Sequence, residues 1–155
     1  GYSNLNKTRG LKFLELEKKG YQFANFIHPS NVAAKNFNIG KNCFILEHQS
    51  IQPFSKIGNN CFIWSGVLLG HHSVIGDHCW ITSEVSIGGN SSIGERCFIG
   101  INSTIGHFVN IGDKCFIGAN ALITRNAQAN SVFIEKDTEL YRLNSKQFLE
   151  LSNLR

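Results

Sequence analysis

The chain has 155 residues, 42% hydrophobic and 17% charged, with a formal net charge of +4. That length supplies one domain with its own core and needs no disulfide staples. Its Lys and Arg are scattered, which speaks against a nucleic-acid groove, and no apolar run approaches the roughly 20 residues that span a bilayer. With no signal-peptide core either, the composition predicts a soluble, cytoplasmic protein that takes small anionic ligands at most. From the absence of Met and the start at Gly1, a segment upstream is expected either to have been removed or to be missing from this sequence.

Residues 3 to 20 are predicted to form a helix, with Ser3 or Asn4 as cap, Leu11, Phe13, Leu14 and Leu16 as an apolar stripe, and Gly20 as stop. Tyr21 to Ile27 reads as a strand, and His28, Pro29 and Ser30 as a turn. From Ile27 to Ile123 every sixth residue is then Ile, save Ala33 and Leu69. Two residues before each stands a mostly small residue such as Cys61, Val67 or Ser73, and the residue after it is often Gly. A helix turning every 3.6 residues would smear this period around its circumference. A short strand keeps it, with its first and third side chains inward and its middle one outward. The glycines are expected to relieve turns whose φ other residues dislike.

Every cysteine lies on an 18-residue super-period, in GKNCFI, GNNCFI, GDHCWI, GERCFI and GDKCFI. Three six-residue steps therefore make one coil, and Cys43, Cys61, Cys79, Cys97 and Cys115 stack. With constant spacing and no CxxC pair, they read as reduced, buried, small hydrophobes. Phe44, Phe62, Trp80, Phe98 and Phe116 should form a column outside one flat face. An apolar patch of that size calls for a cover, expected from another subunit in preference to the chain's own ends. After Thr124 the period breaks, residues 132–134 can add one strand, and residues 145–154 read as a short amphipathic helix.

The repeat resembles that of the hexapeptide-repeat acyltransferases over nearly all of residues 27 to 123. The resemblance implies an all-β, left-handed parallel β-helix and a homotrimer. The stretch NKTRGLKFLELEKKGYQFANFIHPS is similar to the tail of the small nucleotide-sugar-binding domain in the sialic-acid O-acetyltransferase and bacillosamine-type sugar N-acetyltransferase group. The organisation so implied is a helix–strand remnant over 1–26, the β-helix over 27–124 and a C-terminal cap over 125–155.

The same resemblance implies an acetyl-CoA-dependent acetyltransferase acting on an amino or hydroxyl group of a nucleotide-linked sugar for surface polysaccharide. Acyl transfer from a thioester needs a base near neutral pKa and a donor aimed at the developing oxyanion. In LeuGlyHisHisSerValIleGly (69–76), His71 matches the family's general base, and Gly89, one coil on, its oxyanion donor. His72 stands where relatives often place an orienting carboxylate, and Trp80 where some place a second histidine. Residues 97–103 resemble the pantetheine-side stretch, which makes Ile101 a coenzyme contact. Ala119 and Arg125 take positions that relatives fill with Gly and with a cation near the phosphates, while the common Gly-Asn-Pro-Ala ending is missing. His28, His48 and His78 read as surface or turn residues. Two other functions are open: a carbonic-anhydrase-like metal hydratase, with zinc held across subunits by His71, His72 and a neighbour's His107, and a noncatalytic trimeric binding module.

Overall fold

The computed structural model describes residues 4–152. Eighteen two-residue strands wind into a solenoid of three parallel sheets, with seven, six and five strands. Up to the last coil each strand pairs with the one 18 residues away: Phe44 with Phe62 and Ile45 with Ile63 in the first sheet, Ser86 with Thr104 in the second, and Ser92 with Asn110 in the third. The repeated Ile side chains fill the interior, and Ile45, Ile81, Ile87 and Ile99 are wholly buried. The 18-residue coil is thus observed, as is the alternation of inward and outward side chains.

The cysteines occupy one inner corner, all free and all buried. Their recurrence has a polar reason beyond size. The thiols of Cys43, Cys61, Cys79 and Cys97 donate to the carbonyls of Gly58, Gly76, Gly94 and Gly112 on the next coil, at 3.0–3.2 Å. Each closes a carbonyl that the corner would otherwise leave without a partner. Burial pushes the Cys79 thiol far above its ordinary range, so it stays protonated and able to donate.

The glycines of the repeat do a different job from the one expected. The left-handed backbone falls instead on the residue before each cysteine: Asn42, Asn60, His78, Arg96 and Lys114, with φ of 57–61°. Gly58 has no positive φ; a Cβ there would lie 2.8 Å from the backbone of residues 76 and 77 on the next coil. Close stacking of coils, not turn conformation, excludes side chains at that position.

Helix α1 spans Lys7–Lys18, shorter than expected because Asn4, Leu5 and Asn6 all have positive φ; Ser3 lies outside the described residues. Asn6 does not cap. Its amide instead donates to the His78 carbonyl at 2.7 Å. Phe13 packs on Phe23 and on the edge of His78, and Arg9 donates to the carbonyls of Asn60 and Asn42 while lying over the Phe62 ring. Of the expected apolar stripe only Phe13 is buried; Leu11 and Leu14 face outward. His78, read as a surface or turn residue, is a turn residue buried beneath α1. The predicted strand from Tyr21 is confined to Phe26–Ile27, where Asn25 bridges to Gly40 and Cys43.

At the other end the last coil is two residues short: Phe116 pairs with Val132, 16 residues on, and Ile111 bridges to Ala127. The added strand is Val132–Phe133, and Ala127 and Phe133 close the core. Helix α2, Ser145–Ser152, leaves Phe148, Leu149 and Leu151 exposed; residues 153 and 154 of the predicted helix lie outside the described residues.

Candidate active site

The turns between the second and third sheets stack at one corner and carry His71, Gly89, His107 and Arg125, one per coil. The backbone of His71 is fixed from both sides. Its N–H donates to Gln52 Oε1 at 3.0 Å, and its carbonyl accepts the Asn90 N–H at 2.9 Å. The exposed imidazole has two neighbours. Its Nδ1 is 3.1 Å from His72 Nδ1, the rings nearly perpendicular. Its other edge covers Gly89 so closely that a Cβ on Gly89 would lie 2.7 Å from Nε2 and 2.8 Å from Cε1. Gly89 is therefore buried, and only glycine leaves the ring this seat.

The Gly89 N–H is not vacant. It donates to His107 Nδ1 at 2.9 Å, while the Gly89 carbonyl accepts the Phe108 N–H at 3.1 Å. His72 is steadied by its N–H to the Pro53 carbonyl at 3.0 Å and by its ring against Phe54, centroids 4.8 Å apart. Phe54 and Phe108, at this same corner, both hold left-handed backbone at φ of 63° and 59°. The same turn position takes left-handed backbone at the other corners too, as at Asn60 and Glu84, so this φ belongs to the repeat.

The residues read from the sequence divide between two corners. Arg125 ends the column of His71 and Gly89 and is exposed. Ile101 and Ala119 stand at the corner between the first and second sheets, beside a groove of about 400 Å³ walled by Trp64, Trp80, Phe98 and Phe116. The aromatic column is real: Phe26, Phe44, Phe62 and Trp80 stack in turn at 4.4–4.9 Å, and Phe98 stacks on Phe116 at 4.7 Å. It is less open than expected, since Trp80 is only 8% exposed, flanked by Trp64. Sequence reasoning did not see that His72 meets His71 or that His107 holds Gly89. The second was within reach. Lys41, Asn59 and Glu95 donate their N–H to the side chains of Asn59, Asp77 and Asp113, each 18 residues on, as Gly89 does to His107. His28 pairs with Ser30, His48 is exposed, and among the described residues no three His, Cys, Asp or Glu converge to hold a metal ion within one chain.

The stacked-strand solenoid defines the fold class, and comparison with known proteins gives the family within it. Residues 26–137 match the model of the GMPPB C-terminal domain family, and the chain belongs to that family. Comparison with curated proteins gave no match. Among solved structures, PerB from Caulobacter crescentus in complex with CoA and GDP-perosamine is 25% identical with a TM-score of 0.80, over 82% of this chain and 61% of that one. A mutant of perosamine N-acetyltransferase from the same organism, one histidine replaced by asparagine, is 24% identical with a TM-score of 0.80, over 82% and 60%. The acetyltransferase domain of PglB from Neisseria gonorrhoeae in complex with acetyl coenzyme A is 19% identical with a TM-score of 0.80, over 82% and 62%. The chain thus spans about three fifths of the length of these structures.

Proposed function

We propose that the chain is an acetyl-CoA-dependent acetyltransferase acting on an amino or hydroxyl group of a nucleotide-linked sugar destined for surface polysaccharide. The observation that carries this is the seat of His71: an exposed imidazole whose Nε2 edge lies on Gly89, with its Nδ1 engaged by His72. Support for the donor and the sugar comes from the Caulobacter and Neisseria proteins, crystallised with CoA and GDP-perosamine or with acetyl coenzyme A.

In this reading His72 Nδ1 accepts the Nδ1–H of His71, which leaves His71 Nε2 free as base, and His72 takes the orienting part that relatives give to a carboxylate. Nε2 takes the proton of the acceptor as its nitrogen or oxygen attacks the thioester carbonyl. The carbonyl oxygen, which accepts the Gly89 N–H once the donor is bound, becomes negative in the tetrahedral intermediate and holds that bond more strongly. Collapse breaks the carbon–sulfur bond, the departing thiolate recovers the proton from His71, and an amide or ester is left. A positioned base is worth about 10²- to 10⁴-fold, and one oxyanion donor about 10²- to 10³-fold.

Ile101 and Ala119 reach this chemistry only from a second copy. Within one chain the second sheet separates the two corners by some six residues, roughly 15–20 Å at the rise of a strand. A cyclic trimer, with the base corner of one copy facing the aromatic groove of the next, assembles His71, Gly89 and Arg125 with a neighbour's coenzyme contacts in the cytoplasm. Thiol release from acetyl-CoA in the presence of nucleotide-linked amino and hydroxy sugars tests the assignment. Turnover with at least one acceptor is expected; its absence across the panel, with no rise in Tm on adding acetyl-CoA, contradicts it.

A further inference from the structure

We infer that His107 is a positioning residue that latches the Gly89 amide and yields it to the acyl donor. The inference rests on the acetyltransferase reading above and explains how that reading's oxyanion donor is kept ready. Its basis is the hydrogen bond from the Gly89 N–H to His107 Nδ1, 2.9 Å long, on an amide whose residue is buried by the ring of His71 from the preceding coil. Two imidazoles therefore close on one glycine from opposite directions along the solenoid.

At the corner between the third and first sheets, the equivalent amides of Lys41, Asn59 and Glu95 are held by amide or carboxylate oxygens. Those acceptors have lone pairs to spare. An imidazole has one, so His107 can accept at Nδ1 only in the neutral tautomer that carries its proton on Nε2. His107 is also exposed, with room to rotate outward. A thioester carbonyl arriving at Gly89 must displace it, because the N–H that polarises the carbonyl is the one His107 holds. The latch keeps water off the amide between turnovers and makes donor binding a competition for a single N–H. Free CoA has no acyl carbonyl and does not enter that competition.

The test is His107→Ala beside His107→Asn, whose amide oxygen can take the acceptor's place. In His107→Ala, KM for acetyl-CoA should fall roughly two- to ten-fold, the worth of one hydrogen bond of this kind, with kcat within two-fold. The Kd of free CoA should not change, and His107→Asn should restore the parent KM. Without ligand, the Gly89 amide proton resonance should move upfield in His107→Ala and return in His107→Asn. A Gly89 resonance unmoved in His107→Ala overturns the latch and leaves the acetyltransferase reading standing. A ten-fold or greater loss of kcat at unchanged KM also overturns it, since His107 would then act on the transition state. If acetyl transfer is itself absent, the resonance still decides whether the latch exists.

Discussion

At the scale of single residues, the corner site depends on an atom that is missing. His71 lies where Gly89 would carry a Cβ, so the two positions are linked sterically as well as chemically. Gly89→Ala should push the imidazole off its seat and lower kcat by at least 10-fold, since an ångström of misplacement can cost about 10²-fold. The core is untouched and Tm should hold within about 2 °C. A fully active Gly89→Ala would mean that the ring's seat is incidental. His71 and Gly89 were visible in the sequence because their spacing equals one coil and their motif has a known resemblance. The His71–His72 contact was not, because neighbours in sequence meet only when the turn's φ and the Phe54 ring turn His72 toward His71.

At the scale of elements, the solenoid and its N-terminal helix are held together by different means. The strands are fixed by a six-residue pattern that each coil repeats, and that pattern could be read directly from Ile27 to Ile123. Helix α1 is fixed by contacts with positions far away in sequence: Asn6, just before it, and Arg9 donate to carbonyls of residues 78, 60 and 42, and Phe13 lies beside His78. No local period announces such contacts, so the helix was legible but its docking face was not. Nor could the spacing separate a glycine needed for φ from one needed for close stacking, a distinction that belongs to the coil above. Phe13→Ala should cost about 3 kcal/mol and lower Tm by roughly 6–12 °C; an unchanged Tm would show that α1 contributes nothing to the stability of the coils.

At the scale of the whole molecule, three sheets with a common core present three corners, and chemistry is distributed among them. The cysteine corner is inward and satisfied by glycine carbonyls. The corner between the first and second sheets carries an apolar aromatic groove. The corner between the second and third carries histidines, glycine and arginine in a single column. Such a rod cannot fold one of its corners onto another, which is why the proposed reaction calls for a second copy. Of the residues read from the sequence, His71, Gly89 and Arg125 share one corner while Ile101 and Ala119 stand at another, and the bond from Gly89 to His107 was not among the readings. The central claim is that His71 is the base for acyl transfer, and its most direct test is thiol release from acetyl-CoA by the parent protein and by His71→Ala at matched oligomeric state. A loss in kcat of at least 10²-fold is predicted, whereas equal turnover by the two proteins would contradict the account.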